Sequence, residues 1–95
     1  MDSTAENEFY DKLKVRLLET STWPAVYLYK FIVPTAGTGV KEIESVFDDT
    51  NAVIIKKLSK NEKYTSLSIS LQMENPDAVI EKYVIATKVA GVISL

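Results

Sequence analysis

Neither cysteine nor histidine occurs in the 95-residue chain. Without cysteine, the protein can form no disulfide, no thiolate metal site and no thiol nucleophile. Without histidine, it also lacks the side chain that most often acts as a general base or binds a metal ion. The sequence therefore predicts no catalytic residues, no metal site and no cofactor, and we expect a protein that is not an enzyme.

Strong charge of one sign and long apolar runs are lacking as well. The formal net charge is -2 and the pI is about 5.1, so the chain as a whole does not attract phosphate backbones or anionic membrane surfaces. Residues 1–6 are largely polar and carry two acidic side chains, and no apolar run of membrane length follows them. We expect a cytoplasmic protein that binds neither nucleic acid nor a membrane.

The length of the chain allows one hydrophobic core. A domain of this size buries roughly 60–65% of the surface that its unfolded chain exposes. Residues 1–22 are predicted to form an N-terminal helix and a linker, and residues 23–95 are predicted to form the single domain. The helix is expected over about residues 5–19, because a capping box at Ser3 and Glu6 precedes apolar residues at helical spacing.

The stretch from residue 51 to residue 73 predicts a β-hairpin. Residues 65–73 alternate strictly, which is the pattern of a strand with one buried and one exposed face. One side carries Thr65, Leu67, Ile69, Leu71 and Met73, and the other carries Ser66, Ser68, Ser70 and Gln72. Residues 53–55 are β-branched, and the charged segment around Asn61 favours a turn. Two strands joined by a tight polar loop are therefore expected.

The register of this hairpin depends on the length of its loop. A loop of two or four residues pairs Ile54 with Ile69, whereas a three-residue loop pairs Ile55 with Leu67. Both registers remain open at the level of the sequence.

The most apolar run, residues 25–33, predicts a central strand. Successive side chains of a strand point to opposite faces, and Lys30 would be costly to bury, so its face is predicted to be the open one. The open face is expected to carry Val26, Leu28, Lys30 and Ile32, and the buried face Tyr27, Tyr29, Phe31 and Val33.

Two further helices and a short strand follow from local signals. The glycines after Pro34 break the first strand, and apolar residues at helical spacing predict a helix over about residues 39–49. Asn75, Pro76 and Asp77 predict the start of another helix, because an N-cap residue, a proline at the first helical position and an acidic side chain coincide there. Residues 91–95 predict a terminal strand.

The order of elements after the first helix is β-α-β-β-α-β, which predicts an α+β, ferredoxin-like sandwich. We expect a four-stranded, antiparallel-type sheet of order 4-1-3-2, with two helices on one face and the N-terminal helix as an addition. Right-handed crossovers place the first and third strands side by side, and these two are expected not to run antiparallel to each other. The second strand becomes an edge, where Lys56 and Lys57 discourage edge-to-edge pairing.

Three segments carry a family pattern: Trp23-Pro24 leading into Tyr29-Lys30-Phe31, the hairpin residues 59–69, and the last five residues, 91–95. Together they resemble the YbeD-like family of small uncharacterised bacterial proteins over about residues 20–95. Members of that family usually carry glycine at the position that Glu62 occupies here. The resemblance implies a ferredoxin-like fold similar to the ACT regulatory domains, with no established activity.

The loop after the first strand is the place where domains similar to ACT bind small molecules such as amino acids. In this chain it contains Pro34, Gly37, Thr38 and Gly39. The glycines could let backbone amides at the helix N-terminus face a small anionic ligand. The alternative is that both glycines are needed only to turn the chain.

The open face of the sheet is a second candidate site. It is predicted to combine Leu28, Lys30, Ile32, Ser66, Ser68 and Ser70. The polar side chains could hydrogen-bond a partner while the apolar ones supply contact area. A second copy, a protein partner or the N-terminal helix would then cover the face, and the alternative is an ordinary solvated face.

The hairpin tip is a third candidate site. Its side chains are Ser59, Lys60, Lys63 and Tyr64, which could receive a phosphate or a carboxylate. The alternative is a soluble turn.

These features favour a non-enzymatic regulatory or protein-interaction module that acts through its open sheet face, with self-association as one form of that interaction. The alternative function is an ACT-like sensing domain that binds an amino acid or another small anion at the loop after the first strand.

Overall fold

The computed structural model describes residues 4–48 and 50–95 of the chain. The helices are α1 (Thr4–Thr20), α2 (Gly39–Val46) and α3 (Pro76–Ala86), and the strands are β1 (Ala25–Pro34), β2 (Val53–Leu58), β3 (Tyr64–Met73) and β4 (Ile93–Ser94). The predicted order of elements is therefore confirmed. The β4 strand is shorter than predicted, and α2 ends earlier. The side chains of the capping box predicted at Ser3 and Glu6, and the predicted last residue of α2, Asp49, lie outside the described part.

The four strands of the described chain form one sheet of order β2-β3-β1-β4, which is the predicted order read from the other edge. Every neighbouring pair is antiparallel, including the central pair β1 and β3. The expectation that the central pair does not run antiparallel was wrong. The crossover through α2 does leave β1 and β2 running in the same direction, but the hairpin reverses the chain and inserts β3 between them.

The hairpin adopts the register that pairs Ile54 with Ile69. The last hydrogen bond between the two strands before the loop is donated by the Ser59 amide to the Tyr64 carbonyl, at 2.8 Å. The loop therefore consists of the four residues 60–63. Within that loop Glu62 has a φ of 62°. This is the left-handed conformation that glycine adopts most easily, at the position where the YbeD-like pattern has glycine.

The core lies between the sheet and the helices, and its centre is aromatic. Tyr29 and Phe31 of β1 are completely buried and contact the rings of Phe47 and Tyr83. The hydroxyl of Tyr29 donates a hydrogen bond to the carbonyl of Val79 at 2.8 Å. The predicted division of β1 into a buried aromatic face and an open face is therefore confirmed.

The third helix begins where the sequence predicts. The side-chain oxygen of Asn75 accepts a hydrogen bond from the amide of Ala78 at 2.8 Å, and Pro76 occupies the first helical position. These local signals place α3 across the sheet, with Val79 and Tyr83 buried against it.

The N-terminal helix packs on the same side of the sheet as the other helices. Leu17 is buried in the core, and its carbonyl accepts a hydrogen bond from the indole Nε1 of Trp23 at 3.0 Å. An ion pair of 3.0 Å joins Lys14 of α1 to Asp77 of α3. The helices of the described chain therefore all lie on one face, and the suggestion that the N-terminal helix covers the open face was wrong. None of the described helices is long and apolar enough to span a membrane.

Candidate functional site

The sheet face opposite the helices is built from alternate residues of each strand. The register sets out three successive rows across β1, β3 and β2: Leu28, Ser70 and Val53; Lys30, Ser68 and Ile55; Ile32, Ser66 and Lys57. The lysines are exposed and the serines are half-buried. The predicted outward orientation of this face is therefore confirmed, and its role in binding stays a prediction.

Large apolar side chains on this face are exposed to solvent. The exposed fractions are 74% for Val26, 59% for Leu28, 61% for Val53, 64% for Ile55, 51% for Ile93 and 65% for Leu95. The solvated face of an antiparallel sheet is usually polar. Neighbouring apolar side chains left in water on a folded chain mark interaction surfaces more often than isolated ones do. We call this surface, from Val26 and Val53 to Ile93, the open face.

A groove of about 700 Å³ occupies one end of the open face. Its lining consists of Lys30, Ile32, Lys57, Leu58, Ser59, Lys60, Tyr64, Ser66, Ile93 and Leu95. The groove joins two sites that the sequence predicts separately, because it combines residues of the open face with residues of the hairpin tip. Lys63, which was predicted to belong to the tip, is not part of the lining.

Four lining residues were missed by the sequence analysis: Lys57, Leu58, Ile93 and Leu95. The signal for Lys57 was present, since it follows Ile55 by two residues and must share its face. Assigning it to the groove requires the hairpin register, which places Lys57 opposite Ser66. Ile93 could be assigned only once its pairing with Ile32 was known.

The charged side chains of the groove are all cationic. Lys30, Lys57 and Lys60 line it, and no carboxylate side chain is among its lining residues. The ion pairs found between described residues use other lysines, namely Lys14 and Lys56. The charged side chains of the groove are therefore positive and lie beside apolar side chains, although the whole chain is acidic.

At the hairpin tip, the hydroxyl of Ser59, which was predicted to bind a ligand, is hydrogen-bonded within the turn. The hydroxyl of Ser59 donates to the side-chain oxygen of Asn61 at 3.0 Å and accepts from the amide of Tyr64 at 3.1 Å. The same oxygen of Asn61 accepts from the amide of Lys63 at 3.1 Å. Ser59 and Asn61 therefore shape the turn, while the Lys60 side chain and the Tyr64 ring lie along the groove.

The loop after β1 brings its four predicted residues together around a cavity of about 330 Å³, lined by Pro34, Ala36, Gly37, Thr38, Gly39, Glu42, Ala90 and Gly91. Gly37 has a φ of 88°, which few other residues adopt. A Cβ on Gly39 would lie 3.3 Å from the Cβ of buried Val33. The positive φ at Gly37 and the close packing of Gly39 against Val33 therefore account for both glycines.

The N-terminus of α2 already faces a carboxylate. The hydroxyl of Thr38 donates to Oε2 of Glu42 at 2.6 Å, and Glu42 lies in the first turn, where its charge stabilises the helix dipole. A small anion at this loop would have to approach that carboxylate. Binding at the loop stays a prediction.

The tyrosine cluster beneath the sheet has a structural role. The hydroxyls of Tyr27 and Tyr83 are 2.8 Å apart. Burial raises the pKa of Tyr29, and burial followed by the hydrogen bond to Tyr27 raises the pKa of Tyr83. The raised pKa keeps the hydroxyls of Tyr29 and Tyr83 neutral at ordinary pH, and their hydrogen bonds link β1 to α3.

Comparison with known proteins supports the fold. No family model matches the sequence, and no curated protein matches it. Among solved structures, the chain is similar to the ACT domain from the GTP pyrophosphokinase of Chlorobium tepidum, with a TM-score of 0.53 and 16% identity over 75% of this chain and 100% of that one. This likeness shows an ACT-like α+β fold, whereas membership of the YbeD-like family stays a prediction.

Proposed function

We propose that this chain is a non-enzymatic regulatory module that binds a protein partner through its open face. The observation that carries the proposal is the set of exposed apolar side chains on both sides of the β3 serines, with Val26, Leu28, Val53 and Ile55 each more than half exposed. The likeness to an ACT domain supports a regulatory role, because ACT domains are regulatory rather than catalytic. Localisation in the cytoplasm is part of the same proposal.

The size of the open face suits a modest interface. The strands contain ten, six, ten and two residues. Because strands lie about 4.8 Å apart and rise about 3.4 Å per residue, the sheet presents a face of about 450 Å². Standard protein interfaces bury about 800 Å² on each partner. The open face could therefore form most of one partner's contact area, as expected of a reversible interaction.

A paired substitution on the purified chain tests this proposal. Ile55→Glu places a carboxylate on the open face, and Val15→Glu places one at a similarly exposed position on α1. Both tagged variants and the unmodified chain are used to capture proteins from a lysate of the source cells, with quantitative mass spectrometry as the readout. We expect a partner that Val15→Glu retains and Ile55→Glu loses.

Equal capture of every protein by both variants would contradict the proposal. Light scattering distinguishes a second copy from a different protein, since a mass of two chains that Ile55→Glu reduces to one would identify self-association as the interaction. Circular dichroism of both variants verifies that the comparison concerns folded chains.

A second candidate function is sensing of an amino acid or another small ligand at the loop after β1. The observation that favours it is that Pro34, Gly37, Thr38 and Gly39 line one cavity, in a fold similar to an ACT domain. A thermal-shift screen of amino acids tests it, because a ligand at 100 times its dissociation constant stabilises a folded chain by about 2.7 kcal/mol. A screen without any stabilising amino acid would count against this candidate.

A further inference from the structure

We propose that the groove at the end of the open face binds a small organic anion with an apolar tail, of the class of medium-chain carboxylates. This site goes beyond the proposed function, because it requires no protein partner and can be tested on the isolated chain.

The floor of the groove is made by short side chains between longer ones. Ser66 lies between Ile32 on β1 and Lys57 on β2. Neighbouring strands are about 4.8 Å apart, so these two longer side chains start from backbone positions about 10 Å apart, on either side of Ser66. Ser68 and Ser70 of β3 lie outside the lining of the groove, but they are also short side chains flanked by longer ones. The strand register therefore extends the depression over them. It is wide enough for one extended chain of atoms.

The chemistry changes along this depression. At one end it is bordered by Lys57, Lys60 and the ring of Tyr64. Two rows further, at Ser70, the flanking side chains are Leu28 and Val53. Four residues of β3 separate the two ends, a distance of about 13 Å. An anionic head group is therefore matched to the first end and an apolar tail to the second.

The charge of the groove selects the sign of the head group. Lys30, Lys57 and Lys60 face it without an acidic side chain in the lining. Lysine stems also add apolar contact area while their ammonium groups stay in water. A carboxylate head group neutralises part of this charge.

The dimensions of the groove fit a small molecule. Ligand sites in proteins have volumes of about 300–1,000 Å³ and are lined mainly by apolar groups with a few polar groups that orient the ligand. The groove has about 700 Å³ and combines aliphatic side chains with three lysines and two serines.

Titration of the ¹⁵N-labelled chain with decanoate, kept below its micelle concentration, tests the site. We expect saturable shifts of amide signals in residues 57–60 and 64–70. Decylammonium, which has the same tail length and the opposite charge, should bind more than about tenfold more weakly, since several exposed ion pairs each contribute a small factor. Signals of α1 and α3 should stay in place.

Variants assign the ends of the ligand. Lys57→Gln should weaken decanoate binding about two- to fivefold, as expected for loss of one exposed ion pair. Ser68→Phe should block the path of the tail and weaken binding further. Lys12→Gln, an exposed position on α1, should leave the affinity unchanged, and circular dichroism checks that each variant is folded.

Three results would overturn the proposal: equal affinity for decanoate and decylammonium, shifts spread over the helices, or no saturable shifts. Binding to vesicles that contain anionic lipid, without binding to free decanoate, would also overturn it and would assign the groove to a membrane surface. Failure of the decanoate titration leaves the partner capture by Val15→Glu and Ile55→Glu unaffected, so the two proposals fail separately.

Discussion

The hydroxyl of Tyr29 on β1 donates a 2.8 Å hydrogen bond to the backbone carbonyl of Val79 on α3. Both residues are completely buried. The bond fixes the helix layer to the sheet at the centre of the molecule, directly behind the open face. The open face is therefore supported from its other side by a direct contact between strand and helix.

Tyr29→Phe should lower the free energy of unfolding by about 1 kcal/mol, because it removes one buried hydrogen bond and keeps the ring. Urea unfolding followed by circular dichroism measures the change. Tyr64→Phe, which alters an exposed ring on the open face, serves as the matched control and should change the value little. Equal stability of Tyr29→Phe and the unmodified chain would show that this bond does not stabilise the fold.

Stability should fall at alkaline pH because of the buried tyrosines. Burial raises the pKa of Tyr29 and Tyr83 above the ordinary value of 10.0. Above pH 10 the unfolded chain releases these protons and the folded chain retains them, so the folded state loses stability as the pH rises. Below pH 10 the two buried tyrosines cause no loss of stability. Above pH 10 each of them lowers the free energy of unfolding by about 1.4 kcal/mol per pH unit.

Urea unfolding between pH 9 and pH 11 measures this slope. Tyr29→Phe removes one of the two buried tyrosine hydroxyls and keeps every other side chain, so the fall in stability with pH should be shallower than that of the unmodified chain. Identical slopes would exclude Tyr29 as a source of the effect.

Glu62→Gly should stabilise the hairpin. The residue has a φ of 62°, a conformation that costs an L-residue about 1–2 kcal/mol and costs glycine little, apart from the larger entropy that glycine loses on folding. We expect a net gain of about 0.5–1 kcal/mol in urea unfolding. Lys60→Gly, in the same loop but without a positive φ, should give no gain, and a similar gain there would contradict the conformational explanation.

Much of the fold could be predicted from local patterns, and the parts that could not depend on distant contacts. Alternation over residues 65–73 predicts both faces of β3, and the signals at Asn75 and Pro76 predict the start of α3. The register of the hairpin depends on the conformation of four loop residues, including Glu62, which no periodicity reveals. The antiparallel central pair follows from the order of the strands in space rather than from the residues of either strand.

The candidate site shows the same limit. The sequence predicts that Lys30 and Ser66 share a face and that the hairpin tip carries lysine and tyrosine. It does not bring the two groups together, because their meeting depends on the pairing of Lys57 with Ser66 and of Ile32 with Ile93. The position of α1 was also open, since its apolar residues could have packed on either face.

Lys82→Met should lower the free energy of unfolding by about 1 kcal/mol. The ammonium group of Lys82 donates to the carbonyl of Val46 at 2.8 Å, at the C-terminal end of α2, where a cation also complements the helix dipole. Methionine keeps the stem and removes the donor. Lys88→Met, at an exposed position after α3, is the control, and an equal effect of both substitutions in thermal unfolding would contradict a specific role for the Lys82 bond.

The measurement that tests the central claim most directly is an NMR cross-saturation experiment on the labelled chain bound to the protein that it captures. We predict that saturation transfers to amides of the open-face strands, around Leu28, Ile55 and Ser68. Transfer confined to α1 and α3, with the sheet unaffected, would contradict the account.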